Sequence, residues 1–224
     1  MGQRSQIYIR ITDDYNERPT LIAKYFQWNF AERMISRARY GMEYIKDNAE
    51  YLSSDTVKER ISKIFDVNFD MKDVALSTDI IKEWIESSSK YYGLEEVNDY
   101  IFNAQDNNDG KLFIDVDEKG NIKYCLTDYD MQILSPKQYM DWDFENWQNS
   151  EYLDKEDVET CKNNIKYINK NATQMTNEEL LEFIGYDYSK QIIEMAEKLK
   201  IEIKKQETIE LEAEQSQDEI DMCG

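Results

Sequence analysis

Two clusters of side chains in this sequence have the types and spacing to do chemistry. Arg33 and Arg37 stand four residues apart in a stretch of helical periodicity, with Arg39 beside them and Tyr40 and Tyr44 along the same flank. Guanidinium groups so placed can hold a phosphate or carboxylate through paired hydrogen bonds, and the tyrosine rings can stack on a base. Pairing with the chain's own carboxylates would use the same arginines, and the acid excess favours it. The second cluster interleaves Asp128, Asp130, Asp141, Asp143 and Glu145 with Tyr129, Tyr139, Trp142, Phe144 and Trp147. Carboxylates set among large amphipathic rings suit a Lys/Arg-lined groove on a partner, where the rings would anchor. A loop that packs its aromatics inward explains the same letters, and both readings stand open.

Other chemistry finds little footing. The chain has no histidine, which removes the commonest general base and transition-metal ligand and excludes Ser-His and Cys-His catalysis. Cys125, Cys161 and Cys223 are odd in number and far apart, so neither a disulfide framework nor a zinc site is indicated. Asp106 to Gly110 and Asp115 to Gly120 suggest calcium loops. With either glycine at position six, position twelve falls on Val116 or Leu126, where a bidentate carboxylate is required. No glycine-rich phosphate loop is present, so the expectation is a protein without catalytic residues, metal or cofactor.

Charge points to the class of partner. Lys and Arg number 27 against 47 Asp and Glu, a formal charge of -20 in 224 residues, which repels nucleic acid and anionic membranes and attracts basic proteins. The imbalance is uneven. Residues 1–46 are net basic, and Arg60 is the only arginine beyond them, so direct nucleic-acid contact is expected only through this N-terminal segment. No apolar run is long enough for a membrane helix, and a cytoplasmic location follows as an expectation.

The elements that must position these residues are those of a helix-rich α+β fold. Ile7, Ile9 and Ile11 alternate with Gln6, Tyr8 and Arg10, as in a strand with one face buried, and Thr20 to Trp28 reads as its hairpin partner. Asn29 is expected to cap the next helix, with Glu32 closing a capping box and Phe30, Met34, Ala38, Met42 and Ile45 on its buried side. Periodicity predicts helices over Asp55 to Phe65, Thr78 to Tyr92 and Leu94 to Asn103. A second hairpin, Lys111 to Val116 with Asn121 to Thr127, turns at Gly120. Helices are expected again over Lys155 to Lys170, Thr176 to Ile184 and Ser189 to Gln206. The domain expectation is one unit over 1–206, with a subdivision near 104–128, followed by an acidic, flexible tail over 207–224.

The opening Met1-Gly2-Gln3-Arg4-Ser5-Gln6-Ile7-Tyr8-Ile9-Arg10, with Ala23 to Arg39, resembles small, largely uncharacterised proteins carried by phages and mobile elements of low-GC Gram-positive bacteria. The resemblance covers about the first 45 residues. It implies a setting in which acidic proteins of this size act as anti-CRISPR or anti-restriction inhibitors, with carboxylates standing in for DNA phosphates. The first expectation is therefore a host-defence-evasion protein that binds a basic nucleic-acid-binding protein such as a CRISPR effector nuclease. Two alternatives are a nucleotide- or RNA-binding protein or enzyme built on the Arg-rich first helix, and a phage structural or assembly protein.

Overall fold

The computed structural model describes residues 3–12, 18–67, 76–90 and 93–200. The chain divides into two compact units, 1–186 and 187–224. In the second unit, residues 189–200 are helical, as periodicity predicts; the rest of that predicted helix and the acidic tail lie outside the described residues.

The first unit is built on a mixed sheet, β1 (Arg4–Ile11), β2 (Thr20–Gln27), β3 (Leu76–Asp79), β4 (Lys111–Val116), β5 (Ile122–Thr127), β6 (Ile133–Leu134) and β7 (Thr173–Gln174). The spatial order is β3-β2-β1-β4-β5-β6, and β7 joins the outer side of β5. Both predicted hairpins form. β1 pairs antiparallel with β2, Ile7 opposite Lys24, and β4 pairs with β5, Phe113 opposite Cys125. Gly120 takes a φ of +75° at the second hairpin's tip, where a side chain would be strained. The two hairpins join through a parallel β1–β4 ladder, Arg10 opposite Asp115.

One face of the sheet carries helices α1 (Ala31–Asp47), α2 (Asp55–Ile64), α5 (Pro136–Asp143) and α6 (Lys155–Asn171). Ile7, Ile9 and Ile11 meet Met34, Ile35, Ala38, Met42 and Ile45 of α1 in this layer, together with Ile61, Met140 and Ile168. That face follows from the alternation and the helical period. The other face carries α3 (Ile80–Glu86), α4 (Val97–Asn103) and α7 (Asn177–Gly185). Here the expectation of a half-exposed β1 fails, because Gln6, Tyr8 and Arg10 are buried as well. Tyr8 stacks on Phe113 and tilts against Phe102, and Phe183 of α7 meets Phe113 edge-on. The polar side chains that β1 and β4 lower into this layer are matched, whereas Trp84 Nε1 of α3 is buried without a partner. Tyr8 donates to Ile101 O at 2.8 Å, and Lys111 Nζ to Phe102 O at 2.6 Å. Arg10 forms two bonds to Asp115, at 2.8 and 2.7 Å, beneath the Phe183 ring. Pairing offsets part of the desolvation cost of burying such groups, and leaving one partner unmade would cost more.

Two further expectations are corrected. The predicted helix at Thr78 begins two residues later, because Thr78 and Asp79 belong to β3 and Asp79 caps α3 by accepting from Lys82 N. Asn29 does not cap α1; Phe30 holds the cap position without a side-chain bond, and Asn29 bonds Ser5 and Arg37 instead. The stretch 128–150, whose letters also fit a loop packing its aromatics inward, contains β6 and α5. Its missed signal was local: Ser135 caps α5 with Gln138 reciprocating and Pro136 in the first helical position. Residues of the 104–128 stretch supply β4 and β5, which lie in the same sheet as β1. Among the described residues no helix is long and apolar enough to cross a membrane.

Candidate functional site

The first helix positions its arginines inward. Arg37 is buried, and its guanidinium reaches Asn29 Oδ1 at 2.8 Å, Phe65 O at 2.5 Å and Val67 O at 2.8 Å, over the Phe26 ring. It thereby holds the end of α2 against α1. Burial pulls its pKa down to about 10, which leaves it charged at neutral pH. Arg33 donates to Trp28 O at 2.9 Å and lies over Phe30. Arg39 pairs with Glu43 one turn on and lies between the Tyr40 and Tyr167 rings, at 4.0 and 4.8 Å. Tyr44 packs partly buried against the core. The open guanidinium fork expected of Arg33 and Arg37 is therefore absent, because Arg37 is committed to three acceptors inside the fold. The other arginines near β1 are engaged too, Arg4 with Asp106 and Arg10 with Asp115.

The acid-aromatic cluster separates into an inner and an outer set. Trp147 is almost wholly buried, its Nε1 donating to Asp141 Oδ1 at 3.0 Å, while Asp141 also receives Lys137 Nζ at 2.5 Å. The Lys137 bond holds the Asp141 carboxyl below its usual range. Asp128 is buried and closes a turn by accepting from Gln132 N at 2.8 Å. Trp142 is partly buried between Tyr139 and Tyr129, at 5.8 and 6.1 Å, and Phe144 packs against the core. The outer set is Asp130, Asp141, whose carboxylate is exposed although it reaches in to Trp147, and Glu145, with Tyr129 59% exposed. Glu151, Asp154, Glu156 and Glu159 extend it on to the first turns of α6, and Tyr152 among them is 90% exposed. The acid excess running from Asp128 to Glu159 is legible in the sequence, and Asp154 with Asp157 forms a capping box at its helical end.

Asp143 has the least expected surroundings. Its Oδ2 accepts from Ala31 N at 2.7 Å and so supplies the α1 cap that Asn29 does not, from 112 residues away. Asp109 adjoins it closely enough for the two carboxyls to act on one another's ionisation, and Asp109 Oδ2 accepts from Arg4 N. Buried Tyr139 donates to Asp109 O at 2.5 Å. Burial, then their mutual repulsion, raises Asp143 far above the carboxylate range, and burial raises Asp109. Glu32, in the first turn of α1, is 5% exposed with Oε2 unpartnered, and burial raises its pKa as well. Among the described residues, no group of three or more acidic or thiol side chains could hold a metal ion. The 106–110 turn, once a candidate calcium loop, instead directs Asn108 Oδ1 to Arg4 N and Asn107 Oδ1 to Gly110 N, each at 2.8 Å.

A small polar groove of about 280 Å³ lies between the second hairpin and the end of α6, lined by Lys46, Asn121, Asn169, Lys170, Asn171 and Thr173. Lys46 and Lys170 stand in the last turns of α1 and α6, where cations offset the helix dipoles. No protein-family model matches this chain, and neither the curated proteins nor the solved structures contain a significant match to it.

Proposed function

We propose that this chain is a non-catalytic, acidic inhibitor that binds the cationic nucleic-acid groove of a bacterial defence nuclease, a CRISPR effector or a restriction enzyme. One observation carries the choice over a nucleotide- or RNA-binding protein: Arg4, Arg10, Arg33, Arg37 and Arg39 are all engaged within the fold. The basic N-terminal segment therefore offers little to a phosphate, and the formal charge of -20 is expressed largely by exposed carboxylates. Asp130, Glu145, Glu151, Asp154, Glu156 and Glu159 are such carboxylates, within 30 residues of sequence, and exposed Tyr129 and Tyr152 are amphipathic anchors of the kind interfaces use. Steering by complementary charge speeds association with a basic groove, and the rings supply the buried contact.

The test is titration of the purified full chain into a panel of guide-loaded CRISPR effectors and restriction nucleases. Inhibition should saturate at a fixed stoichiometric ratio. Its affinity should fall as salt rises from about 0.1 M to about 1 M, where the screening length shrinks from about 10 Å to about 3 Å. Asp130→Asn with Glu145→Gln and Glu151→Gln should weaken it at least about tenfold. Direct binding of RNA or a nucleotide by the chain, abolished by Arg33→Gln and Arg39→Gln, would overturn the proposal in favour of the first helix.

A further inference from the structure

The acid excess of this chain has one long interruption. Between Glu159 and Glu178 no residue is acidic, the longest such run in the sequence, and it carries Lys162, Lys166 and Lys170. On α6 these lysines recur every four residues, about 6 Å apart along the axis, and all three are exposed. Elsewhere exposed lysines find acids: Lys63 reaches Glu59, Lys82 Glu86, Lys123 Glu179 and Lys137 Asp141. The three on α6 pair with no carboxylate among the described residues.

The stripe ends in the polar groove, none of whose lining residues is acidic. The hairpin tip forms one wall and is set tightly against the chain just past α1, since a Cβ on Gly120 would stand 2.6 Å from Ala49 Cβ. Lys46 Nζ crosses from the end of α1 to donate to Asn171 Oδ1 at 3.0 Å, and Asn171 Nδ2 donates to Tyr167 O at 2.9 Å. Tyr124 donates its hydroxyl to Asn169 Oδ1 at 3.2 Å, which leaves the Nδ2 hydrogens of Asn169 for a ligand. Lys170 Nζ and Thr173 Oγ1 have no protein partner among the described residues. Asn121 Nδ2 is held by Asp117 Oδ2 at 2.8 Å, and its Oδ1 remains an acceptor.

These unspent groups are mostly donors, and the charge balance agrees with them. α1 and α6 both end here, and each C-terminus carries about half a negative charge, which two ammoniums outweigh. The groove's volume of about 280 Å³ is at the small end for ligand sites, which run from roughly 300 to 1,000 Å³, and its polar lining calls for a hydrophilic ligand. A formal charge of -20 opposes a long polyanion more than a single phosphate held against two lysines, because distant acids are screened beyond about 10 Å.

We propose that this groove binds a small phosphate ester of a hydroxylated body, of the sugar-phosphate class. Lys46, Lys170 and Asn169 Nδ2 donate to the phosphate oxygens, while Asn121 Oδ1 and Thr173 Oγ1 meet the hydroxyls. Lys162 and Lys166, outside the groove, steer the anion towards it. The inference is independent of the inhibitor reading.

The test is a titration of the nitrogen-15-labelled full chain with ribose 5-phosphate, inorganic phosphate, ribose and a single-stranded oligothymidylate. Ribose 5-phosphate should shift the amides of residues 120–122 and 169–173 with a Kd below about 1 mM, and ribose should not. Lys170→Gln removes an ammonium, and Asn169→Asp keeps an oxygen for the Tyr124 hydroxyl while setting a carboxylate against the phosphate; each should weaken binding at least about tenfold. Both positions are exposed, so Tm should stay within about 2 °C. Absence of shifts up to about 10 mM ribose 5-phosphate, or affinity unchanged in both variants, would overturn the site. Equal affinity for inorganic phosphate would overturn the ester in favour of the free anion. Tighter binding of the oligonucleotide, lost in Lys162→Gln with Lys166→Gln, would overturn the small ligand in favour of a nucleic-acid backbone.

Discussion

The arginine cluster of the first helix, Arg33 to Arg39, and the segment 128–147 look alike as sequence, each a group of charges of mainly one sign with aromatics alongside, yet the fold treats them differently. The arginines of α1 turn to acceptors within the fold: Arg37 to carbonyls, Arg39 to Glu43, Arg33 to Trp28 O. The acids of the second segment divide, with Asp128 and Asp143 capping turns and helices inside, and Asp130, Asp141 and Glu145 exposed. A chain with 47 acids and 27 bases has an internal partner for nearly any arginine but cannot provide one for every carboxylate. The surplus sign is therefore the one left facing solvent, and that asymmetry is the basis of the proposed function.

The comparison can be broken most readily where burial is deepest. Trp147→Ala should destabilise by about 4 kcal/mol in chemical denaturation, by emptying a cavity and releasing Asp141. A small loss would mean that the inner aromatic set is not core. Arg37→Gln should cost about 3 kcal/mol, because Phe65 O and Val67 O lose a charged donor, whereas Arg33→Gln should cost well under half as much. Equal costs for the two arginines would erase the distinction between clamp and rim. Tyr8→Phe should cost about 1 kcal/mol, since Ile101 O keeps its burial but loses its hydrogen bond. The smallest effect belongs to the outer set: Asp130→Asn with Glu145→Gln should leave Tm within about 1 °C while weakening binding to a basic partner. A large Tm loss there would place these acids with Asp143.

Much of the architecture could be read locally. Alternation in β1 and the turn at Gly120 gave both hairpins, and Thr176 with Glu179 gave the start of α7, because each depends on contacts within a few residues. The start of α1 misled for the same reason. Asn29 and Glu32 have the spacing of a cap, but Asn29 is drawn off by Ser5 and Arg37, whose positions local spacing does not encode.

By itself the sequence determined the net charge, the absence of histidine and hence of the commonest acid-base chemistry, and the helical and strand periods. Tertiary structure alone decided that β1 is buried on both faces, that Asp143 caps α1, and which carboxylates face outward. The reason is sequence distance. The parallel pairing of β1 with β4 brings residues about 100 apart into contact, including Arg10 with Asp115 and Arg4 with Asp109. Local periodicity reaches only a turn or two along the chain, whereas a buried charge takes its meaning from the partner the topology delivers to it.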